Sequence, residues 1–197
     1  MKTLPSISQI LFNRFYSIFR TLPCIFCTLA IASSVSAQET DNAMLKYGLN
    51  FLKTPYVAHT LEVNEEEKLV VNFDEVDCTT FVEYVLALAL SPVKNGTIDN
   101  ADYARTLQSI RYRDGKIDGY TSRLHHIADW VNNGVRHGFM EDITAANSPD
   151  TVRLSLNFMS THPKAYKHLE SSPENISKIE EIEKSLSGQL FHYIPKN

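Results

Sequence analysis

The chain has 197 residues, 43% of them hydrophobic, with 19 basic and 23 acidic side chains and a formal net charge of −4. That is the composition of an ordinary globular domain. Its acidic balance argues against nucleic acid or anionic lipid as a partner.

Residues 1–37 read as a secretory signal. Lys2, Arg14 and Arg20 form the basic region, an apolar run from Cys24 to Ile31 follows, and Ser34-Val35-Ser36-Ala37 sets a cut after Ala37. Removal leaves one domain, residues 38–197, with a charge of about −7. No later apolar run approaches the ~20 residues a bilayer span needs, so no membrane anchor is expected after cleavage. Cys24 and Cys27 leave with the signal. Cys78 then stands alone, either as a packed filler or as a reactive group.

Asp41 is placed to cap a helix running to about Leu52, with Met44, Leu45, Leu49 and Leu52 as its inward stripe. Thr54-Pro55 stops it. From Tyr56 to Asn72 the pattern predicts a β-hairpin. Val57 to Val63 would pair with Lys68 to Val71 around Asn64-Glu65-Glu66-Glu67, a turn too acidic to be buried. Asp77 then caps a helix from Cys78 to Leu90 that is apolar on nearly every face, the mark of a central buried helix. Ser91-Pro92 ends it, and Asp99 or Asn100 opens another helix to about Ile110.

Arg111 to Arg123 reads as a polar loop, and Leu124 to His137 as a helix closed by Gly138. Phe139 to Thr144 and Val152 to Phe158 are short strand candidates, and Pro163 to Leu169 a short helix. Ser172-Pro173 opens an amphipathic helix with Ile176, Ile179, Ile182 and Leu186 inward, stopped by Gly188. Phe191-His192-Tyr193-Ile194-Pro195 begins a strand-like segment.

A thiol in the first turn of a helix faces unpaired backbone N–H groups and the positive end of the helix dipole. Both favour the thiolate, which is the nucleophile of cysteine hydrolases and is usually completed by an imidazole. The bland reading is a cysteine packed as a small hydrophobe, and position alone leaves both open. His125-His126 lack a third ligand at metal spacing, so no metal is expected, and no cofactor is implied.

The surrounding residues narrow the choice. Asp77-Cys78-Thr79-Thr80-Phe81-Val82 resembles the Asp-Cys-Ser-Gly-Phe-Val segment that carries the nucleophile in NlpC-type, papain-like cell-wall peptidases. Thr54-Pro55-Tyr56-Val57-Ala58 resembles that group's Gly-x-Pro-Tyr segment. Tyr112-Arg113-Asp114-Gly115, the stretch from Gly119 to His125, and Asp129-Trp130 extend the match to the N-acetylmuramoyl-L-alanine amidase-like family.

This resemblance implies an α+β, papain-like cysteine hydrolase of the bacterial cell envelope, periplasmic or secreted. The chain would hold its N-terminal, mostly helical part with a β-hairpin, and would be incomplete at the C-terminus. The implied activity is hydrolysis of the amide between N-acetylmuramic acid and L-alanine in peptidoglycan or muropeptide substrates. Cys78 matches the nucleophile. Tyr56 matches the tyrosine that lines its cleft and polarises the scissile carbonyl. Ser122, Arg123 and His125 match a segment placed at the substrate cleft, where Arg123 would pair with a carboxylate.

The departures are local. The family's early glycines are Lys53 and His59 here, which alters the hairpin geometry. The family's catalytic histidine follows a Gly-Asp segment on a later strand, and this chain shows no such segment. His162 and His168 read as surface groups, which leaves His192 as the in-chain candidate for the base. The rival expectations are a noncatalytic muropeptide-binding module or inactive fragment, and a structural envelope protein in which Cys78 is simply packed.

Overall fold

The computed structural model describes residues 43–196. The signal expected over 1–37 and the cap expected at Asp41 lie outside them. The fold is α+β: helices joined by two small antiparallel sheets. Contacts divide the chain into two compact units. One comprises the residues up to Ala58 with Asn72–Leu107. The other comprises His59–Val71 with Gln108–Asn197.

The first unit is built on an aromatic core. Helix α1 spans residues 43–49 and buries Tyr47. Leu45, Leu49 and Leu52, expected inward, are exposed. The inward residues are instead Tyr47 and, one turn on, Phe51, whose ring meets Phe73, Phe81 and Tyr84 at centroid distances of 6.0, 5.6 and 6.4 Å. Aromatic rings bury more area than leucines and set the rotation of the helix.

Helix α2, Cys78–Leu90, follows the sequence reading. Asp77 Oδ1 accepts from Thr80 N–H at 2.7 Å, while Thr80 Oγ1 accepts from Asp77 N–H at 2.9 Å. This capping box satisfies two donors that the first turn would otherwise leave unpaired. Tyr84 to Leu88 are buried without a break. The chain leaves α2 at Ser91 and forms a two-residue hairpin, β1 Val93–Lys94 with β2 Thr97–Ile98. Asp99 Oδ1 accepts from Ala101 N–H at 2.9 Å and so opens α3, Asn100–Arg111. The division between the units falls within α3, after Leu107.

The second unit gathers around Tyr120, Met159, Leu169 and Ile179, with Tyr166, Ile176 and Ile182 packed against them. Its elements are α4 Ile127–Arg136, α5 Thr144–Asn147, β3 Thr151–Arg153, α6 Phe158–Thr161, α7 Lys167–Glu170, α8 Pro173–Leu186 and β4 Leu190–His192. Helix α8 buries Ile179 and Leu186 as expected, with Ser172 Oγ accepting from Asn175 N–H at its start. Strand β3 pairs with β4, Thr151 opposite His192. No strand forms from Phe139 to Thr144, where Thr144 opens α5 instead.

The hairpin expected between Tyr56 and Asn72 does not form. Val57 N–H donates to Val76 O and Val76 N–H to Pro55 O, at 3.0 and 3.1 Å, a parallel bridge to the segment before α2. Residues 58–63 then run through turns. The physical cause is partly local and partly long-range. His59 adopts left-handed backbone, φ 63°, inside the expected first strand and breaks its extended run, while Lys53, φ 75°, turns the chain just before it. Further on, carbonyls meant for a ladder are taken by side chains. Arg111 Nη1 donates to Val70 O at 2.6 Å and Tyr112 Oη to Lys68 O at 3.2 Å. The stretch from Arg111 to Arg123 is accordingly not a solvated loop: Arg111, Tyr112, Tyr120, Thr121 and Arg123 are buried.

Candidate active site

In the first unit, Cys78 is the first residue of α2, and it is exposed. Its Sγ lies 4.0 Å from Thr79 Oγ1. A packed thiol would show the opposite burial, so the filler reading does not describe this cysteine. The capping box consumes the Thr80 amide. Cys78 itself stands at the helix start, where the dipole favours an anion. Tyr56 sits on the strip bridged to Val76, two residues before Cys78, and its ring is 70% exposed. Cys78 and Tyr56 are thus carried by two neighbouring segments, and both side chains are open to solvent.

In the second unit, Arg123 and His125 pack against Tyr120, and Ser122 follows it in the same short turn. Ser122 Oγ donates to Gly119 O at 2.7 Å and lines an open groove of about 460 Å³ with Lys116, Asp118 and Lys178. Arg123 is only 7% exposed. Its guanidinium meets Glu62 Oε1 at 3.0 Å and Glu67 Oε2 at 3.1 Å, and lies over the Tyr120 ring at 5.1 Å. Arg123 is therefore already engaged by two carboxylates of its own unit.

Glu67, expected in a solvated turn, is instead 6% exposed in its side chain. Its other oxygen accepts from Tyr112 Oη at 2.7 Å. Burial, then this carboxylate, pushes the Tyr112 hydroxyl pKa upward. His168, expected at the surface, is largely buried, with Nε2 3.1 Å from Glu62 Oε2 and its ring 5.1 Å from that of Tyr120. No local signal marked Glu62 or Glu67 for this role, because their partners lie far along the chain.

His125 Nε2 is 2.9 Å from Tyr120 O. A carbonyl only accepts, so Nε2 carries the proton and Nδ1 is left as an acceptor. Burial, then the neighbouring Arg123 cation, pushes the imidazole pKa down to about 3, so it is neutral at physiological pH. His125 and His126 line a second pocket of about 220 Å³. The buried Glu183 lies at its wall, accepting from Met159 and Ser160 N–H at 2.9 and 3.3 Å. The sequence did carry a signal for Glu183, an acidic residue on the same helical stripe as Ile176, Ile179 and Leu186.

His192 lies half-buried in β4, with Nδ1 3.2 Å from Ser148 O. It belongs to the second unit and Cys78 to the first. Among the described residues no cluster of three or more His, Cys, Asp or Glu could hold a metal ion. No described helix is long and apolar enough to cross a membrane.

Residues 46–197 match the model of a family described as N-acetylmuramoyl-L-alanine amidase-like. No curated protein matches the chain. A crystal structure of an N-acetylmuramoyl-L-alanine amidase from Bacteroides uniformis is 61% identical, with TM-score 0.76 over 77% of this chain and 65% of that one. A Bacteroides fragilis protein provisionally described as a xylanase is 59% identical, with TM-score 0.73 over 76% of this chain and 65% of that one. A Legionella pneumophila protein at 20% identity shares the fold alone, with TM-score 0.55 over 81% of this chain and 60% of that one. The chain thus spans 65% of the length of the two Bacteroides structures.

Proposed function

We propose that this chain, which belongs to the N-acetylmuramoyl-L-alanine amidase-like family, is the nucleophile-bearing part of an exported, papain-like cysteine amidase that acts on peptidoglycan fragments. The observation that carries the reading is the exposed Cys78 at the start of the capped helix α2, beside the strip that holds Tyr56. Residues 1–37 direct the chain to the cell envelope or out of the cell.

The Cys78 thiolate attacks the lactyl carbonyl of a muramoyl–alanine amide. A C–S bond forms, the C–N bond breaks, and the amine leaves with a proton. Water then cleaves the thioester to release N-acetylmuramic acid and regenerate the thiol. Tyr56 flanks the carbonyl and donates to its oxygen as charge develops there. Ser122 is the substrate contact that the family resemblance implies. Arg123 acts through Glu62 and Glu67, holding the 59–71 segment rather than touching substrate. The proton for the amine requires a general acid. His192 follows Cys78 in the chain order that papain-like chemistry uses.

The test is incubation with N-acetylmuramoyl-L-alanyl-D-isoglutamine, following release of the alanine amine and the mass of the protein. The expected result is amine release with a muramoyl thioester on Cys78, both lost in Cys78→Ala. Binding without amine release and without an adduct would make the chain a muropeptide-binding module instead. Release that survives Cys78→Ala would overturn the nucleophile. Full activity in His192→Ala would place the general acid elsewhere.

A further inference from the structure

We infer that Tyr112 is a positioning residue for the Cys78 site: it clamps the 59–71 segment, and through that segment it holds the strip that carries Tyr56. Its bearing on catalysis rests on the amidase reading. The clamp itself rests on geometry.

The 59–71 segment leaves the first unit after Ala58 and the chain re-enters that unit at Asn72. The backbone at either end of this excursion belongs to the site. Tyr56 and Val57 lie just upstream, and Val76, two residues before Cys78, lies downstream. The two sides meet in an isolated parallel bridge, with Val57 N–H donating to Val76 O at 3.0 Å and Val76 N–H to Pro55 O at 3.1 Å. Asn72 N–H adds a bond to Tyr84 Oη at 3.0 Å. Bonds this few are a weak closure for a loop of this length, because each is modest in net strength while closing the loop costs chain entropy. Anchoring the loop beyond its base lowers that cost.

The anchor is built on facing backbone. Tyr112 and Arg123 form an antiparallel bridge, and Leu124 N–H donates to Arg111 O at 2.9 Å. From this platform three side chains reach the same segment. Arg111 Nη1 donates to Val70 O at 2.6 Å, and Arg123 meets Glu62 and Glu67. Tyr112 Oη shares its proton between Glu67 Oε1 at 2.7 Å and Lys68 O at 3.2 Å, so it grips a side chain and the backbone at once. Burial and the Glu67 charge keep that hydroxyl protonated, and it remains a donor. Tyr112 is 1% exposed, so it touches no substrate and acts only through the segment it holds. The consequence for the reaction is geometric. A displacement of about 1 Å in a group that meets the reacting atoms can cost about 10²-fold in rate, and Tyr56 is the group at the end of this tether.

The experiment uses the full chain. Tyr112→Phe keeps the buried ring and removes the hydroxyl, and amide hydrogen exchange is followed by NMR. Val57 and Val76 should exchange at least about tenfold faster, while Val85 to Leu88 in α2 change by less than about twofold. A merely structural role would speed both sets together. That outcome, or no change in either set, would overturn the inference. Glu67→Gln meets the same hydrogen bond from the segment's side and should give the same selective acceleration, which decides the matter if Tyr112→Phe does not fold. With N-acetylmuramoyl-L-alanyl-D-isoglutamine, kcat in Tyr112→Phe should fall about tenfold with KM within about twofold, because Tyr56 serves charge that develops only in the transition state. An unchanged kcat beside a loosened bridge would also overturn the positioning role. Turnover by the unmutated chain, with exchange unaltered in Tyr112→Phe, rejects the clamp alone. Selective acceleration, with no turnover by the unmutated chain, supports the clamp and rejects the amidase reading alone.

Discussion

Replacing Arg123 with alanine should unfold this protein far more readily than the loss of a surface arginine would. The guanidinium is 7% exposed and bridges Glu62 at 3.0 Å and Glu67 at 3.1 Å. Removing it leaves Glu67, 6% exposed in the side chain, with the Tyr112 hydroxyl but no cation, and Glu62, 20% exposed, with His168 alone. Breaking a buried pair from one side costs about 3–5 kcal/mol, because the remaining charge is left in low dielectric. The contact over the Tyr120 ring adds ~0.5–1 kcal/mol. Against a total stability of about 5–15 kcal/mol, this is a large share. With a urea slope of about 2 kcal/mol per molar, the unfolding midpoint should fall by about 2 M. Circular dichroism during urea titration reads this directly. Glu67→Gln in the Arg123→Ala background should recover part of the loss, since it removes a stranded charge. A loss below ~1 kcal/mol, the range of an exposed ion pair, would refute the argument. It would also leave Arg123 free for the substrate-facing role that the family resemblance implies.

Three further outcomes follow from the same geometry. Lys53→Gly and His59→Gly should each stabilise the chain by about 0.5–1 kcal/mol, because glycine relieves left-handed strain of ~1–2 kcal/mol at some cost in unfolded-state entropy; a loss of stability in thermal melts would refute the strain. The His125 imidazole, at about 3 when folded against 6.5 when free, gives a pH dependence of defined sign. Its contribution is complete above pH 6.5 and falls by up to ~1.4 kcal/mol per pH unit as the unfolded chain takes up a proton that the folded one refuses, down to about pH 3. Urea midpoints measured across that range should lose this slope in His125→Gln, and an unchanged slope would contradict the assignment. Cys78 should alkylate with iodoacetamide at neutral pH faster than free cysteine, and mass analysis should find no adduct in Cys78→Ser; slow labelling at every pH would favour a merely structural thiol.

What was legible in the sequence is what short-range physics decides. Helix α2 announces its own start through Asp77 and Thr80, and its end through Ser91-Pro92. The stripe of Ile176, Ile179 and Leu186 fixes the inward face of α8, and Asp99 marks the start of α3. The position of Cys78 follows directly from these local rules. The path from Tyr56 to Asn72 does not. Alternating residues suggested a hairpin, but the partners of Glu62 and Glu67 are Tyr112, Arg123 and His168, far along the chain. An acidic run looks solvated until the buried arginine that neutralises it is known. The missing glycines at Lys53 and His59 hid a backbone that bends as glycine would, although the side chains there say otherwise. Helix α1 was turned by the choice between leucines and aromatic rings, which only the core can make.

The excursion of residues 59–71 into the second unit has a bearing on how the chain emerges from synthesis. Glu65 meets Lys167 at 3.0 Å, across 102 positions of sequence. Glu62 lies 3.1 Å from His168, from the same late stretch. A nascent chain presents the acidic segment early and must hold it unpaired until those residues are made. Neither unit is a continuous stretch: a fragment ending at Leu107 holds all of the first unit, but it carries residues 59–71 before their partners have been made. Helix α2 and its cysteine can form early, but the segment just upstream stays unanchored until the C-terminal portion arrives. Such late, long-range closure slows folding and lengthens the time that the acidic segment spends unpaired.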